Sequence, residues 1–505
     1  MKQLTGLDAS FLYMETGRAF LHVSSLSIYA RPDDPSFSPF DSFRAQLAAR
    51  LDVVEPFRRK LVDVPLGLDR PYWVIDPDFD LDFHVRHLAI PTPGSDEQLA
   101  DQVARIIGQQ LDRRRPLWEV YVIEGLGSGD FAVLTKVHHA TIDGASGAEL
   151  LVMLLNQTPS HDIPAPALLT RPDRHPSDLE MLNRTLLSYA RTPTKSVRLG
   201  LSLVQRFATA TRSTGLTETV RLLRGALPGR ADDGSADRAP LLPKLAAPAT
   251  PFNKMISAQR RVAIRSTPLA DVKAIKTSLG VTVNDVVLAV CTGGLRTYLQ
   301  RHDALPHDPL VAMIPISIRT GDEDDRWTNR VSALTADLPT HLADPIERVM
   351  AVHAAMNDAK LRFDLLPADA LIEISSLAPP ALATRAARMV ATVRLADHVT
   401  PPFNLVVSNV PGPRQPLYLG PARLLHYFPI STVVDGQGLN MTVQSYCDEL
   451  DFGFVACRNL VPDLWVLIDD CIAEIANLLA ATNSRSTAKP AVNPRLRRTL
   501  ARDRR

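Results

Sequence analysis

Cysteine is scarce in this chain: Cys291, Cys447, Cys457 and Cys471 are the four in 505 residues. No two form a C-x-x-C pair and no histidines cluster around them at zinc-ligand spacing, so a metal site is not expected. Three lie in apolar segments and read as small core residues, with no disulfide framework, which fits a reducing, cytoplasmic setting. Net charge is almost absent at +1, so no general attraction to nucleic acid follows. No run reaches some 18 uninterrupted apolar residues, and no transmembrane helix is expected. The opening MKQLTGLDASFLYMETGRAF holds Asp8 and Glu15 and lacks a continuous apolar core, so it does not read as a signal peptide.

Three catalytic signatures are missing as well. A nucleophile elbow requires G-x-S-x-G, and the nearest approach, Gly144-Ala145-Ser146-Gly147-Ala148, fails at its last position. Neither a phosphate-cradling G-x-x-x-x-G-K-[ST] nor a dinucleotide G-x-G-x-x-G after a strand is present. Acyl-serine chemistry, nucleotide hydrolysis and hydride transfer therefore lose ground.

What the chain does have is Lys136-Val137-His138-His139-Ala140-Thr141-Ile142-Asp143-Gly144, closing an apolar run from Phe131. The run reads as a buried strand, and Ala145 to Leu155 as a short helix after it. A strand end opening into a turn holds an imidazole rigidly with its tip at a cleft. Histidine suits proton transfer near neutral pH, its ordinary pKa being close to 6.5. If residues 133–139 form a strand, alternation puts Thr135, Val137 and His139 on one face and Lys136 and His138 on the other. The two rings thus do not ligate one metal together; the better division is one catalytic imidazole and one structural histidine. Asp143 is placed to reach an arginine or backbone donors and fix the loop, and Gly144 leaves room for close passage of a ligand or backbone. From the residues alone, a functional site and a satisfied core pair stand level.

At 505 residues with 45% hydrophobic and 22% charged composition, two or three globular domains are expected. Residues 1–158 mix strands (Phe20 to Tyr29, Leu117 to Ile123) with a helix over Asp96 to Leu111, an α/β or α+β pattern. Residues 159–250 are proline-dense at both ends, with basic amphipathic helices between 178 and 226: an interdomain linker. Residues 251–482 return to α/β content, with strands at Gln259 to Arg265, Leu310 to Ile316, Asn404 to Ser408 and Leu450 to Ala456. Helices are expected at Thr267 to Leu279, Asn284 to Leu299 and Leu464 to Ala481. Residues 483–505 form a basic tail with eight Lys or Arg from Arg485 onward against Asp503 alone, solvated or drawn to anionic headgroups.

These motifs together resemble the bacterial wax ester synthase/acyl-CoA:diacylglycerol acyltransferase family, whose centre is HH-x-x-x-DG. Leu4-Thr-Gly-Leu-Asp-Ala-Ser-Phe11 resembles its N-terminal signature, and Pro116-Leu117-Trp118-Glu119 its P-L-W element. Val283-Asn284-Asp285, Pro315-Ile-Ser-Ile-Arg319 and Ser408-Asn-Val-Pro-Gly-Pro413 resemble three later blocks. Thr328-Asn329-Arg330 departs from the family's Gly-Asn, which bears on a turn and not on the histidines.

The resemblance implies two chloramphenicol-acetyltransferase-like domains with an active-site channel at their interface. It also implies acyl-CoA as co-substrate, no cofactor, and a diacylglycerol or long-chain alcohol acceptor; peripheral contact with a membrane or lipid-droplet surface stays open. His139 resembles the general base, His138 its support, and Asp143 and Gly144 the structural pair. Asn284 and Asp285 are expected to hold a helix start as N-cap residues. Trp118 is either core or channel wall, and Arg319 either a partner of Asp143 or a surface residue. Asn409 is a candidate donor to a developing oxyanion. The expected reaction is triacylglycerol synthesis, wax esters included. The alternatives are a condensation-type acyltransferase fed by a carrier-protein thioester and a non-catalytic lipid binder.

Overall fold

The computed structural model describes residues 1–142, 144–162, 165–167, 173–174, 176–187, 246–317, 331–365, 397 and 400–487, with backbone alone for 144–146, 148, 364–365 and 485–487. The linker between 188 and 245, Asp143, Arg319, the 328–330 turn and the tail beyond 487 lie outside the described residues.

Two six-stranded sheets and a small three-stranded one organise the chain. The small sheet pairs β1 (Lys2–Gln3), β3 (Arg59–Val62) and β4 (Tyr72–Ile75). In the first large sheet, β2 (His22–Tyr29) and β6 (Trp118–Glu124) flank β7 (Phe131–His138), all antiparallel. β5 (Val85–Ala89) adds in parallel to β6. The second large sheet runs β10 (Val331–Leu338), β9 (Leu310–Ser317), β11 (Leu405–Val410), β14 (Leu439–Tyr446), β15 (Glu449–Cys457), β8 (Arg260–Pro268).

Alternation along β7 decides the layers, because successive side chains leave a strand on opposite faces. Phe131, Val133 and Val137 enter an outer core with Trp118, Val120 and Tyr29. Ala132 and Leu134 point the other way, into an apolar layer that also holds Val262, Ile264 and Val455 of the second sheet. The helix Asp96–Ile107 fills that shared layer with Leu99, Val103, Ile106 and Ile107. Ser95 and Gln98 form its capping box, which satisfies two orphan N–H groups. The far face of the second sheet packs Leu405, Val407, Met441, Phe452 and Phe454 against the helices Val283–Arg301 and Leu464–Thr487.

Two strands within 251–482 leave that segment's own sheet. The short β12 (Tyr418–Leu419) and β13 (Ala422–Ile430) join the first sheet, with β13 antiparallel to β2. β13 crosses directly over β15 at Gly453, where an added Cβ would lie 1.9 Å from the Pro429 carbonyl oxygen, so only glycine fits.

The fold is the mixed α/β architecture expected. Among the described residues the expected elements agree to within a few residues: Leu464 to Ala481 extends to Thr487, and Asn284 to Leu299 to Val283–Arg301. β13, β14 and the helix Pro345–Leu365 had no counterpart in the sequence reading. Among the described residues no single helix is long and apolar enough to cross a membrane.

Candidate active site

The histidine pair sits where three strand ends meet. β7 stops at His138, whose N–H donates to the Leu117 carbonyl at 2.9 Å; the His139 N–H donates to the Leu21 carbonyl at 2.8 Å. Thr141 N–H then returns to the His138 carbonyl at 2.8 Å, closing the turn. Leu117 opens into β6 and Leu21 into β2, so both imidazoles hang from backbone fixed on either side. The Pro116-Leu117 element thereby acts through its main chain. Trp118 itself is fully buried between Phe57 and His84, stacked on each at 4.3 Å, with its indole N–H given to the Phe57 carbonyl at 2.7 Å.

The two rings meet different surroundings. His138 is 1% exposed, and its Nδ1 accepts the Ala140 N–H at 3.0 Å. That bond leaves the proton on Nε2, which faces Glu15 Oε1 at 3.2 Å. Glu15 also accepts from the Leu21 N–H (3.2 Å), Gln110 (3.1 Å) and Arg113 (2.6 Å). Burial raises its pKa, but the hydrogen bonds and charges of His138 and Arg113 outweigh that and hold the carboxyl well below the usual carboxylate range. His139 is half-buried and stacks face to face on Phe11, ring centroids 4.1 Å apart and planes 13° from parallel.

Phe11 comes from the N-terminal helix Gly6–Met14, begun by Thr5, whose hydroxyl accepts the Asp8 N–H at 3.1 Å. Leu4, Ala9 and Leu12 of this segment pack with Trp73, Leu111, Leu117 and Ala140. The N-terminal block therefore forms one wall of the histidine turn.

Beneath the turn lies a buried polar cluster. Lys136, with no exposed surface, donates to the Gln109 (2.7 Å) and Ile106 (3.2 Å) carbonyls and faces Glu119 at 3.4 Å. Glu119 also accepts from Tyr121 (2.8 Å) and Arg86 (3.2 Å). The His22 Nε2–H donates to the Ile107 carbonyl at 2.8 Å. Lys136 and His22 thus satisfy the orphan carbonyls at the C-terminal end of the Asp96–Ile107 helix, where positive charge is favoured. Burial lowers the Lys136 pKa, with Glu119 opposing, and drives that of His22 well below its ordinary value.

The second half contributes a separate pair. Asn409, on β11, donates to Asn284 Oδ1 at 3.4 Å. The N-cap expectation needs correcting: Thr282 caps the Val283–Arg301 helix, and Asp285, three residues on, completes the box by accepting the Thr282 N–H at 2.9 Å. Asp285 also accepts from His353 at 2.7 Å, a coupling that leaves Asn284 as the residue turned toward Asn409. In the loop after β11, a Cβ on Gly412 would lie 2.0 Å from the Ser445 carbonyl oxygen, which ties that block to β14. Gly144 begins the helix Gly144–Leu154. Asp143 and Arg319 fall outside the described residues, as does their pairing. No group of three or more His, Cys, Asp or Glu suited to a metal ion occurs among the described residues, and all four cysteines are free.

Glu15, Phe11 and Lys136 were not anticipated as parts of the site. Lys136 carried the one available signal, a lysine inside an otherwise apolar strand. Glu15 carried none, because its partner is remote in sequence.

Comparison with known proteins agrees with this layout. The profile of the wax ester synthase/diacylglycerol acyltransferase catalytic domain matches residues 4–287, and that of the WS/DGAT C-terminal domain matches residues 327–478. The "Probable diacyglycerol O-acyltransferase tgs2" of Mycobacterium tuberculosis is 38% identical over 467 residues, covering 91% of this chain and 95% of that protein. The solved wax ester synthase/diacylglycerol acyltransferase from Marinobacter aquaeolei VT8 superposes with a TM-score of 0.65 at 29% identity, over 95% of this chain and all of that one. The first condensation domain of the calcium-dependent antibiotic synthetase shares the fold, with a TM-score of 0.53 at 16% identity over 95% of this chain and 97% of that one.

Proposed function

The chain belongs to the wax ester synthase/diacylglycerol acyltransferase family and is an acyltransferase; from that premise we propose that it acylates diacylglycerol from acyl-CoA, with His139 as the general base. His139 takes the proton of the free hydroxyl as that oxygen attacks the thioester carbonyl. The tetrahedral intermediate collapses with cleavage of the C–S bond, and the imidazolium returns the proton to the departing CoA thiolate. Triacylglycerol and free CoA result, and a long-chain alcohol in the same position yields a wax ester. Only a proton and an acyl group move, so acyl-CoA enters as co-substrate and no cofactor takes part.

The observation that carries this reading is the contrast between the rings: His138 is enclosed with both nitrogens facing partners, whereas His139 keeps exposed surface and is held flat against Phe11. A fixed ring at a strand end places its nitrogen without loss of entropy at the moment of reaction. His138, Glu15, Ala140 and the 116–117 element are positioning residues for that ring. Asn409, held by Asn284, is the proposed donor to the thioester oxyanion. Asp143 and Gly144 hold the turn in this reading. The domain boundaries proposed are 1–158, 159–250 and 251–482, with β13 crossing between the two acyltransferase-like halves. The acceptor is insoluble in water, so the encounter takes place at a membrane or lipid-droplet surface.

His139→Ala is expected to fold as the wild type and to lose roughly 10²- to 10⁴-fold in CoA release with oleoyl-CoA and diolein, the usual worth of a positioned base. Circular dichroism and a thermal melt beside the rate assay check it. Turnover near the wild-type level in the folded variant overturns the assignment.

A further inference from the structure

Away from the histidine turn, the chain entering β8 passes the C-terminal half of the Asp96–Ile107 helix and borders a half-open cavity of about 410 Å³. Its lining includes Arg105, Arg260, Arg261 and Arg458, with Asp101 as the one carboxylate of the described lining, an excess of three positive charges. The arginines are only partly answered. Arg261 faces Asp101 at a loose 3.8 Å, and its buried Nε has no hydrogen-bond partner. Arg260 is buried; its donors go to the carbonyls of Ser257, Gln259 and Arg18 rather than to a carboxylate. Burial lowers its pKa to about 10, which leaves it charged at neutral pH. Arg105 and Arg458 are exposed at the rim, and neither guanidinium has a partner among the described residues.

Guanidinium groups concentrated in a concavity, rather than spread on a flat face, suit a compact ligand carrying several phosphate oxygens. The cavity also adjoins the chemistry. Gln109 lines it, and the Gln109 carbonyl accepts from Lys136, three residues before His139 on the same strand end. The helix terminus and the buried Lys136 thus lie between the arginines and the histidine turn.

We propose that this four-arginine cavity binds the phosphates of the acyl donor, the diphosphate and 3′-phosphate of coenzyme A, while the pantetheine arm reaches past the helix end toward His139. The inference rests on the acyl-CoA reading above and adds where the donor's charged end is held. The arginines touch no reacting atom; they raise donor affinity, so their loss shows in KM and not in kcat.

The test uses the double variant Arg105→Ala/Arg458→Ala, both residues exposed and unpaired, assayed with oleoyl-CoA and with oleoyl-pantetheine, which lacks the phosphates. The expected result is a rise of about tenfold in KM for oleoyl-CoA, with kcat and the oleoyl-pantetheine KM unchanged. Calorimetric titration with adenosine 3′,5′-bisphosphate should weaken by the same factor. An unchanged KM for oleoyl-CoA, or an equal rise for both thioesters, overturns the proposal. Loss of sedimentation with phosphatidylglycerol vesicles at unchanged oleoyl-CoA KM also overturns it and assigns the arginines to lipid headgroups. Should the wild type release no CoA from any acyl-CoA, the acyltransferase reading fails, while the bisphosphate titration still decides whether the cavity holds phosphate.

Discussion

On the first sheet, the end of β7 carries Lys136 and His138, opposed by His22, Glu15 and Glu119, all buried. On the second sheet, the face under the helices carries Leu405, Val407, Met441, Val443, Phe452 and Phe454. The two sheets have the same number of strands, yet the first gathers its buried charges at one strand end beside the histidines, whereas the second half disperses Asp285, Arg348, Asp451 and Glu474 around an apolar centre. Buried charges persist only where each is met by an opposite charge or by backbone dipoles. The first sheet supplies both, because the carbonyl end of the Asp96–Ile107 helix points at Lys136 and His22. Polar rigidity is thus concentrated beside the reacting imidazole, and the second half provides the apolar mass against which it is held.

The largest effect should come from breaking the polar side of this contrast. Lys136→Met retains the length of the side chain but leaves Glu119 short of a cation and takes a donor from the Ile106 and Gln109 carbonyls. It should cost about 3–5 kcal/mol, the usual penalty for stranding a buried charge. A urea titration measures it, and a cost below about 1 kcal/mol would show that the cluster is not structurally necessary.

Acid sharpens the same contrast. Burial, then the nearby Lys136 charge, keep the folded His22 ring neutral, with the Ile107 carbonyl opposing. Its unfolded counterpart takes up a proton below about pH 6.5. The unfolded state then binds more protons, so stability is lost as pH falls, by about 1.4 kcal/mol per unit for this one ring. Urea midpoints at pH 7.5 and 5.5 should diverge less in His22→Gln than in the wild type; identical slopes would contradict the assignment.

The smallest effect belongs to the second half. Thr282→Ala removes the cap of the Val283–Arg301 helix and should cost about 1 kcal/mol. Because that helix is held mainly by its buried apolar face, activity per folded molecule should stay at the wild-type level.

Much of this was legible before folding was considered. β7, the Asp96–Ile107 helix and the closing helix each show their period locally, since one strand face or helix stripe must be apolar. β13 escaped because its partners are β2 and the crossing at Gly453, and nothing within 422–430 marks a strand that leaves its own segment. The cap at Thr282 was misplaced onto Asn284 and Asp285 because all three residue types favour helix starts, and only the backbone turn selects among them.

The amino-acid order alone placed two histidines at the end of an apolar strand, because the run from Phe131 shows its period locally; the strand closes at His138 and His139 opens the turn. Which ring stays accessible was decided in three dimensions. Glu15, Arg113 and Ala140 close around His138, and Phe11 lies flat on His139. Burial and hydrogen bonding depend on segments far apart along the chain, and those meet only when the sheets pack.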